Sequence, residues 1–295
     1  MQPAHMIPSD DFEQLGLWLR SDYGLTVAGL FGATWGSFAN VCIHRIPRGE
    51  SLVSPPSSCP HCQAPISWYD NLPVLSWLWL RGRCRACSAR ISPQYPLIEL
   101  FVALLAVALF RRFVVQDSAA LGIALSRFVT YFFFTVTLLV LSVIDLRIQL
   151  LPDRITYPAI PVFFLLGRVC GQTTLTDAAI GLLAGYGVIW GIAAGYRLLK
   201  GREGLGLGDA KLLSLIGGLL GWHALPWTLF LGSISGLLLA VPVLLFRRRA
   251  AQDGSLLHVE VPFGPFLSLA AVVYVFFFVG RDPLSWLAVT LSSWV

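Results

Sequence analysis

The chain has 295 residues, 56% of them hydrophobic and only 13% charged, with a net charge of +5. Soluble domains carry about 25% charged residues, so a water-soluble globule is excluded and an all-α polytopic membrane protein is expected, with the lipid bilayer as its first partner. No basic stretch alternates with aromatics, so nucleic acid is not an expected partner, and the positive excess should instead report orientation in the membrane.

Residues 1–24 are polar, with Asp10, Asp11, Glu13 and Asp22, and lack the positive n-region of a cleavable signal, so a retained N-terminal segment is expected. Apolar segments follow at 25–43, 97–115, 121–144, 155–172, 178–199, 210–222, 224–246 and 262–280. At about 20 residues per crossing, that makes about eight transmembrane helices, of which 210–222 is the shortest. The polar residues 44–96, rich in Pro, Ser, Arg and Cys, read as a small domain inserted between the first two spans. The tail 283–295 is too short to cross and is expected at the interface.

Placing 44–96 in the cytoplasm brings most of the basic side chains to that side, among them Arg45, Arg81, Arg83, Arg85, Arg147, Arg154, Lys200, Lys211 and Arg247. The N-terminus is then periplasmic, with Arg111 and Arg112 as a violation of the bias. Asp145 ends the apolar run Leu138–Ile144, and Asp209 lies in Gly204-Leu205-Gly206-Leu207-Gly208-Asp209-Ala210-Lys211. Both aspartates fall at cytoplasmic helix ends.

A carboxylate at the edge of a lipid-embedded segment is costly, and its default reading is functional. Two of them within reach of each other cannot both ionise cheaply; one keeps a proton while its partner stays charged, as an aspartic protease requires. The plainer reading pairs Asp145 with Arg147 and Asp209 with Lys211 as solvated loop-end charges. Asp153 is a third candidate, preferred as an N-cap of the fourth span. A proton relay in a transporter would use the same residue types, although such carboxylates usually sit near mid-membrane.

Cys59-Pro60-His61-Cys62 and Cys84-Arg85-Ala86-Cys87 have the spacing of a four-thiolate zinc site. Disulfides would need an oxidising compartment, whereas this loop is expected in the cytoplasm. Four sulfurs close the coordination shell, so Zn2+ bound by Cys59, Cys62, Cys84 and Cys87 would be structural and would supply folding energy to an insertion without a large core. Arg83, Arg85 and Arg90 are expected to offset its negative charge, and His61 to stand outside the ligand set. Cys42 and Cys170 lie in apolar spans and are expected to pack as small hydrophobes.

These features occur together with further motifs: Gly36-Ser37-Phe38-Ala39-Asn40 leading to His44-Arg45-Ile46-Pro47, Asn71-Leu72-Pro73 with Leu75-Ser76-Trp77, Arg81-Gly82-Arg83-Cys84, Tyr95-Pro96-Leu97-Ile98-Glu99, Leu150-Leu151-Pro152-Asp153 and Pro262-Phe263-Gly264-Pro265. Together, in this order, they resemble the type IV prepilin peptidases, which are leader peptidases and N-methyltransferases of the GxGD aspartic protease class.

The resemblance implies an inner-membrane enzyme that removes the basic leader of prepilins and type II secretion pseudopilins at the cytoplasmic face. It then methylates the new N-terminus with S-adenosylmethionine. It places the catalytic aspartates at Asp145 and Asp209 and the zinc ligands at the four CxxC cysteines, and it ties Gly82 and the insertion to methyl transfer. The organisation it implies is a periplasmic segment 1–24, a first helix 25–43, a methyltransferase-associated zinc loop 44–96, a peptidase core 97–282 and the tail 283–295.

This chain departs from the pattern in a short stretch between Arg45 and Cys59 and in Leu146-Arg147-Ile148 after Asp145. No Rossmann fingerprint marks a methyl-donor pocket. Glu99, which starts a span, is a candidate for methyl-donor or leader contact, and Glu50 and Asp70 are candidates to meet the leader's positive charges. A peptidase without methylation, a proton-coupled transporter and a zinc-bearing scaffold remain the alternatives. The residues leave the oligomeric state open.

Overall fold

Small residues at a four-residue spacing shape the first long helix. The computed structural model describes residues 9–171, 173–201, 206–250 and 262–280. Residues 1–8, Arg202, Gly204, Leu205 and the 283–295 tail lie outside the described residues. The regular structure among the described residues is helical, without named strands: α1 (Ser9–Leu19), α2 (Asp22–Arg45), α3 (Leu75–Trp79), α4 (Gln94–Phe110), α5 (Leu121–Ile148), α6 (Asp153–Val169), α7 (Leu175–Lys200), α8 (Leu207–Leu220), α9 (Ala224–Ala250) and α10 (Gly264–Phe277). They divide into two units, Met1–Val136 and Thr137–Val295, with the boundary inside α5.

In the first unit the buried face of α2 is Gly24, Ala28, Gly32, Gly36 and Asn40. That stripe lets α4 approach backbone to backbone. A Cβ at Gly32 would stand 2.7 Å from the Val102 carbonyl oxygen, and one at Gly36 would stand 2.7 Å from the Glu99 Cα. Helices in lipid gain little from the hydrophobic effect between themselves, so close packing of small residues holds them together. On another face of α2, Phe31 packs on Phe132 at 5.0 Å and Trp35 meets Phe133 edge-on at 4.7 Å. α4 runs on into a π-helical turn, Arg111–Val115. There the guanidinium of Arg112 lies over the Phe113 ring at 5.3 Å, a cation–π contact that shelters a charge the orientation bias disfavours.

In the second unit α8 is the centre: every residue from Leu212 to Leu220 is buried. A Cβ at either Gly181 or Gly217 would strike the other's carbonyl oxygen, and one at Gly185 would stand 2.5 Å from the Leu213 carbonyl oxygen. Ser214 Oγ donates to the Leu182 carbonyl at 2.9 Å, so even the polar atom on this interface is satisfied. α6 closes on the same helix at Gly167, beside the Leu219 carbonyl.

Each expected apolar segment is thus helical. Three helices, Asp22–Arg48, Leu121–Ile148 and Leu175–Lys200, are long and apolar enough to cross a membrane, and two shorter apolar stretches are Ala224–Leu239 and Gly264–Phe277. α8, at 14 residues, reaches only about 21 Å and falls short of the ~30 Å hydrocarbon layer. Its burial by protein on all sides makes up for its length.

Candidate functional site: an aspartate pair and a four-cysteine cluster

Asp145 sits near the C-terminal end of α5, and Asp209 in the first turn of α8. The fold brings them close enough for the charge of one to be felt by the other. Asp209 occupies a helix N-terminus, where the dipole favours a carboxylate. Gly208 keeps this turn against the loop before α6, since a Cβ there would stand 3.2 Å from Leu151.

Asp145 is 6% exposed, and its Oδ2 has no hydrogen-bond partner. Buried polar atoms in folded proteins are nearly always paired, so an exception at a carboxylate calls for an explanation, a catalytic role among them.

Neither aspartate takes the basic neighbour that a loop-end reading supplies. Lys211 pairs with Asp153 and lies over the Tyr157 ring at 4.6 Å. Arg147 stands two residues beyond Asp145 on the same helix, a spacing at which helical side chains do not face each other. Asp153 is itself not an N-cap: Pro152 occupies that position without a side-chain cap, and Asp153 is the first residue of α6. Its carboxylate is drawn instead to Lys211. Cys42 is half-buried within α2, and Cys170 is buried at the C-cap of α6.

The insertion is built on two copies of one turn. The pattern Cys-x-x-Cys-x-Ala-x-Ile-Ser stands twice, from Cys59 and from Cys84, an internal repeat that motif spacing alone did not reveal. In each copy the first cysteine N–H donates to the alanine carbonyl, Cys59 to Ala64 at 3.0 Å and Cys84 to Ala89 at 2.9 Å. The residue after the second cysteine turns left-handed, Gln63 at φ 58° and Ser88 at φ 58°. Isolated bridges Ser58 to Pro65 and Arg83 to Arg90 close the two turns.

The four sulfurs all lie within 4.8 Å of one another, and Cys59 Sγ stands 3.8 Å from Cys87 Sγ. A tetrahedron with Zn–S bonds of about 2.3 Å has sulfur–sulfur edges of about 3.8 Å, so the donor set fits zinc in both chemistry and size. Backbone N–H groups of Cys62 and His61 lower the Cys59 thiol to about 6. At Cys87 an N–H from Ala89 favours the thiolate, but burial and the neighbouring sulfurs Cys62, Cys84 and Cys59 push it up to about 11. Four thiolates in this space need a cation among them. His61 is exposed, with only its backbone directed at the sulfurs.

Arg85 is not spent on the sulfurs. It binds Asp70 through both carboxylate oxygens, at 2.7 and 2.6 Å, with its guanidinium 5.6 Å over the Tyr69 ring. This pairing, chiefly its hydrogen bonds, holds the Asp70 carboxyl below the usual range. Asp70 is therefore committed within the chain, while Glu50 is exposed.

Gly82 is buried at φ +66°, and a Cβ there would stand 2.8 Å from the Trp77 ring. Trp77 Nε1 in turn donates to the Ile91 carbonyl at 3.2 Å. Glu99, half-buried at the start of α4, accepts from the Val74 N–H at 2.7 Å through Oε2, and Ser37 is its second partner. Val74 is held at φ +62°, an outlier for a β-branched residue, so Glu99 grips a strained turn of the insertion. Sequence motifs marked Gly82 and Glu99 but carried no sign of the turn that joins their neighbourhoods.

An all-helical membrane protein with two neighbouring aspartates and a four-cysteine cluster is the class that these features define. Residues 30–113 match the profile of the bacterial peptidase A24 N-terminal domain, and residues 132–241 that of the type IV leader peptidase family. The chain is 39% identical over 265 residues to the prepilin leader peptidase/N-methyltransferase of Aeromonas hydrophila, covering 82% of this chain and 86% of that one. It is 42% identical over 212 residues to the protein of that name from Klebsiella pneumoniae, covering 69% and 88%. With the one from Pseudomonas putida it shares 36% over 281 residues, covering 88% and 92%. No solved structure matches. The chain belongs to the type IV leader peptidase family.

Proposed function

We infer that the protein removes the leader peptide of prepilins and N-methylates the end it exposes. The observation that carries the peptidase half is the pair Asp145 and Asp209, on helix ends, with the charge of Asp145 felt at Asp209 and with Lys211 paired to Asp153 instead. Family membership carries both halves, since the relatives bear both activities in their name. A peptidase without methylation is for that reason not favoured.

In the mechanism we propose, the two carboxylates share one proton. The ionised carboxylate takes a proton from water as the water oxygen attacks the scissile carbonyl, and the protonated one hydrogen-bonds the carbonyl oxygen as charge develops there. When the tetrahedral intermediate collapses, the C–N bond breaks and a carboxyl group passes its proton to the leaving amine. The chain's own contribution is to hold both groups at the end of apolar helices, where little water competes. We assign neither proton to a named aspartate, because the titration belongs to the pair.

We propose about eight crossings, with the N-terminus periplasmic and the aspartates and the insertion at the cytoplasmic face of the inner membrane. A pilin's apolar helix would then enter between spans while its basic leader stays in the cytoplasm. Pseudopilins of type II secretion have the same chemistry and fall in the same substrate class.

Zn2+ held by Cys59, Cys62, Cys84 and Cys87 would tie the two repeated turns into one unit; with four sulfurs it has no open position for chemistry. S-adenosylmethionine is the methyl donor that the second activity calls for. The described residues form no strand-to-helix glycine turn that would cradle it, so no pocket is assigned to it.

We propose that Gly82 and Glu99 serve methyl transfer by holding the insertion in shape. Glu99→Gln keeps an acceptor for the Val74 N–H but loses the charge that strengthens the bond, and Glu99→Ala loses both. Methyl transfer is therefore expected to fall a few-fold in the first variant and about tenfold or more in the second, for a charged hydrogen bond of ~1.5–3 kcal/mol. Cleavage is expected to fall less. Parallel assays of both activities on one preparation check this, and equal losses in the two would count against it.

The function itself is tested by reconstituting the purified chain in proteoliposomes with a prepilin and methyl-labelled S-adenosylmethionine. A shortened pilin should form first and then acquire label at its new N-terminus. An uncut prepilin after exhaustive incubation would sink the proposal.

A further inference from the structure

One contact in the second unit joins Asp145 to the start of α10. The turn Pro262-Phe263-Gly264-Pro265 starts α10, and Gly264 is buried there. A Cβ at Gly264 would stand 2.6 Å from Asp145 Oδ2 and 3.3 Å from its Cγ, with Leu212 Cδ2 3.6 Å away. A separation below 3.0 Å is one that real Cβ atoms essentially never show. The Asp145 oxygen that fills this space is the same buried atom that lacks a hydrogen-bond partner.

The backbone N–H of Gly264 bears on the same carboxylate, so this one residue supplies a donor to Asp145 and, through its missing side chain, the space in which Oδ2 lies. Pro265, in the first turn of α10, fixes that turn's backbone and so fixes the surface on which the oxygen rests.

We propose that Gly264 is a positioning residue for peptide cleavage: the space left by its missing side chain is the seat of the Asp145 carboxylate, and any side chain there would displace it. The proposal rests on the reading of Asp145 as one of the reacting pair. A glycine is required here because of what stands above it, not because of its backbone angles. Gly236, on α9, offers a contrast: a Cβ there would meet the Phe266 ring at 3.4 Å, an ordinary van der Waals distance.

The test uses the full chain in proteoliposomes, with Gly264→Ala, Gly236→Ala, Asp145→Ala and the double variant Asp145→Ala/Gly264→Ala. Each is assayed for prepilin kcat and KM, for methyl transfer to pre-cleaved pilin, and for thermal stability. Misplacing a reacting group by about 1 Å can cost ~10²-fold. Gly264→Ala should therefore lower kcat for cleavage by about that factor, with KM and methyl transfer near wild type and Gly236→Ala unchanged throughout.

Should Gly264→Ala prove unstable, the double variant decides. If the carboxylate is what the new methyl group strikes, removing it restores the melting temperature to that of Asp145→Ala, the signature of direct coupling. Wild-type kcat in Gly264→Ala, or a loss of stability that persists in full in the Asp145→Ala background, overturns the proposal. Cleavage that survives Asp145→Ala instead overturns the aspartate mechanism itself. Cleavage lost in Asp145→Ala but intact in Gly264→Ala leaves that mechanism standing and removes only the role of Gly264.

Discussion

Asp209→Asn is expected to reduce prepilin cleavage by at least about 10³-fold, the order of loss when a group that must take and give a proton is removed. Asparagine has nearly the same shape and can still sit in the first turn of α8, so the fold has no reason to change. What is lost is the ability to ionise. Asp145→Asn should cost a similar factor, and the double variant should be little worse than either single one, because two groups that share one proton act as a unit. Methyl transfer to a pre-cleaved pilin should continue in all three, which doubles as the check that they are folded. Steady-state rates of leader removal decide the matter. Cleavage within tenfold of wild type in either single variant would mean that the pair is not the source of catalysis.

The second large effect is expected at the cysteines. Structural zinc binds small domains with an apparent ~10–16 kcal/mol at neutral pH, and this binding energy is folding energy. The insertion has no large core to take the place of the metal: its contacts include the bridges of its two turns, the Asp70–Arg85 pair and the hydrogen bonds of Trp77 and Glu99. Cys59→Ser or Cys84→Ser should therefore drop zinc content from about one per chain to a small fraction of that. Residues 44–96 should become sensitive to limited proteolysis, and methyl transfer should be abolished. Because the two turns repeat one pattern and each gives two sulfurs, the two variants should be equally severe. Elemental analysis of the purified chain is the direct measurement. Full zinc content in Cys59→Ser would remove these sulfurs from the ligand set.

The two sites were legible in the sequence to different degrees. Zinc-binding cysteines announce themselves, because a metal with fixed bond lengths forces pairs of ligands into short turns, and short turns leave a fixed spacing. The aspartates were legible one at a time, as charges ending apolar runs, since lipid makes any such charge expensive. What each would pair with was not. Asp209 stands two residues from Lys211, yet the lysine reaches Asp153; Arg85 lies between two metal-ligand candidates, yet closes on Asp70. Long basic side chains choose among all acceptors within reach, and the reach is set by packing.

Composition and pattern alone determined that this is a helical membrane protein with a cysteine-bearing insertion and carboxylates at two helix ends. These are properties of single segments: hydrophobicity over a span, spacing within a turn, a charge at a boundary. Only the tertiary structure decided that glycines at 181 and 217 would let α7 and α8 meet backbone to backbone, that Glu99 would grip the strained Val74 turn, and that Gly264 would lie under Asp145. Each of these joins residues from separate segments. A glycine in a sequence shows only that a side chain is missing, and the folded chain shows what occupies its place.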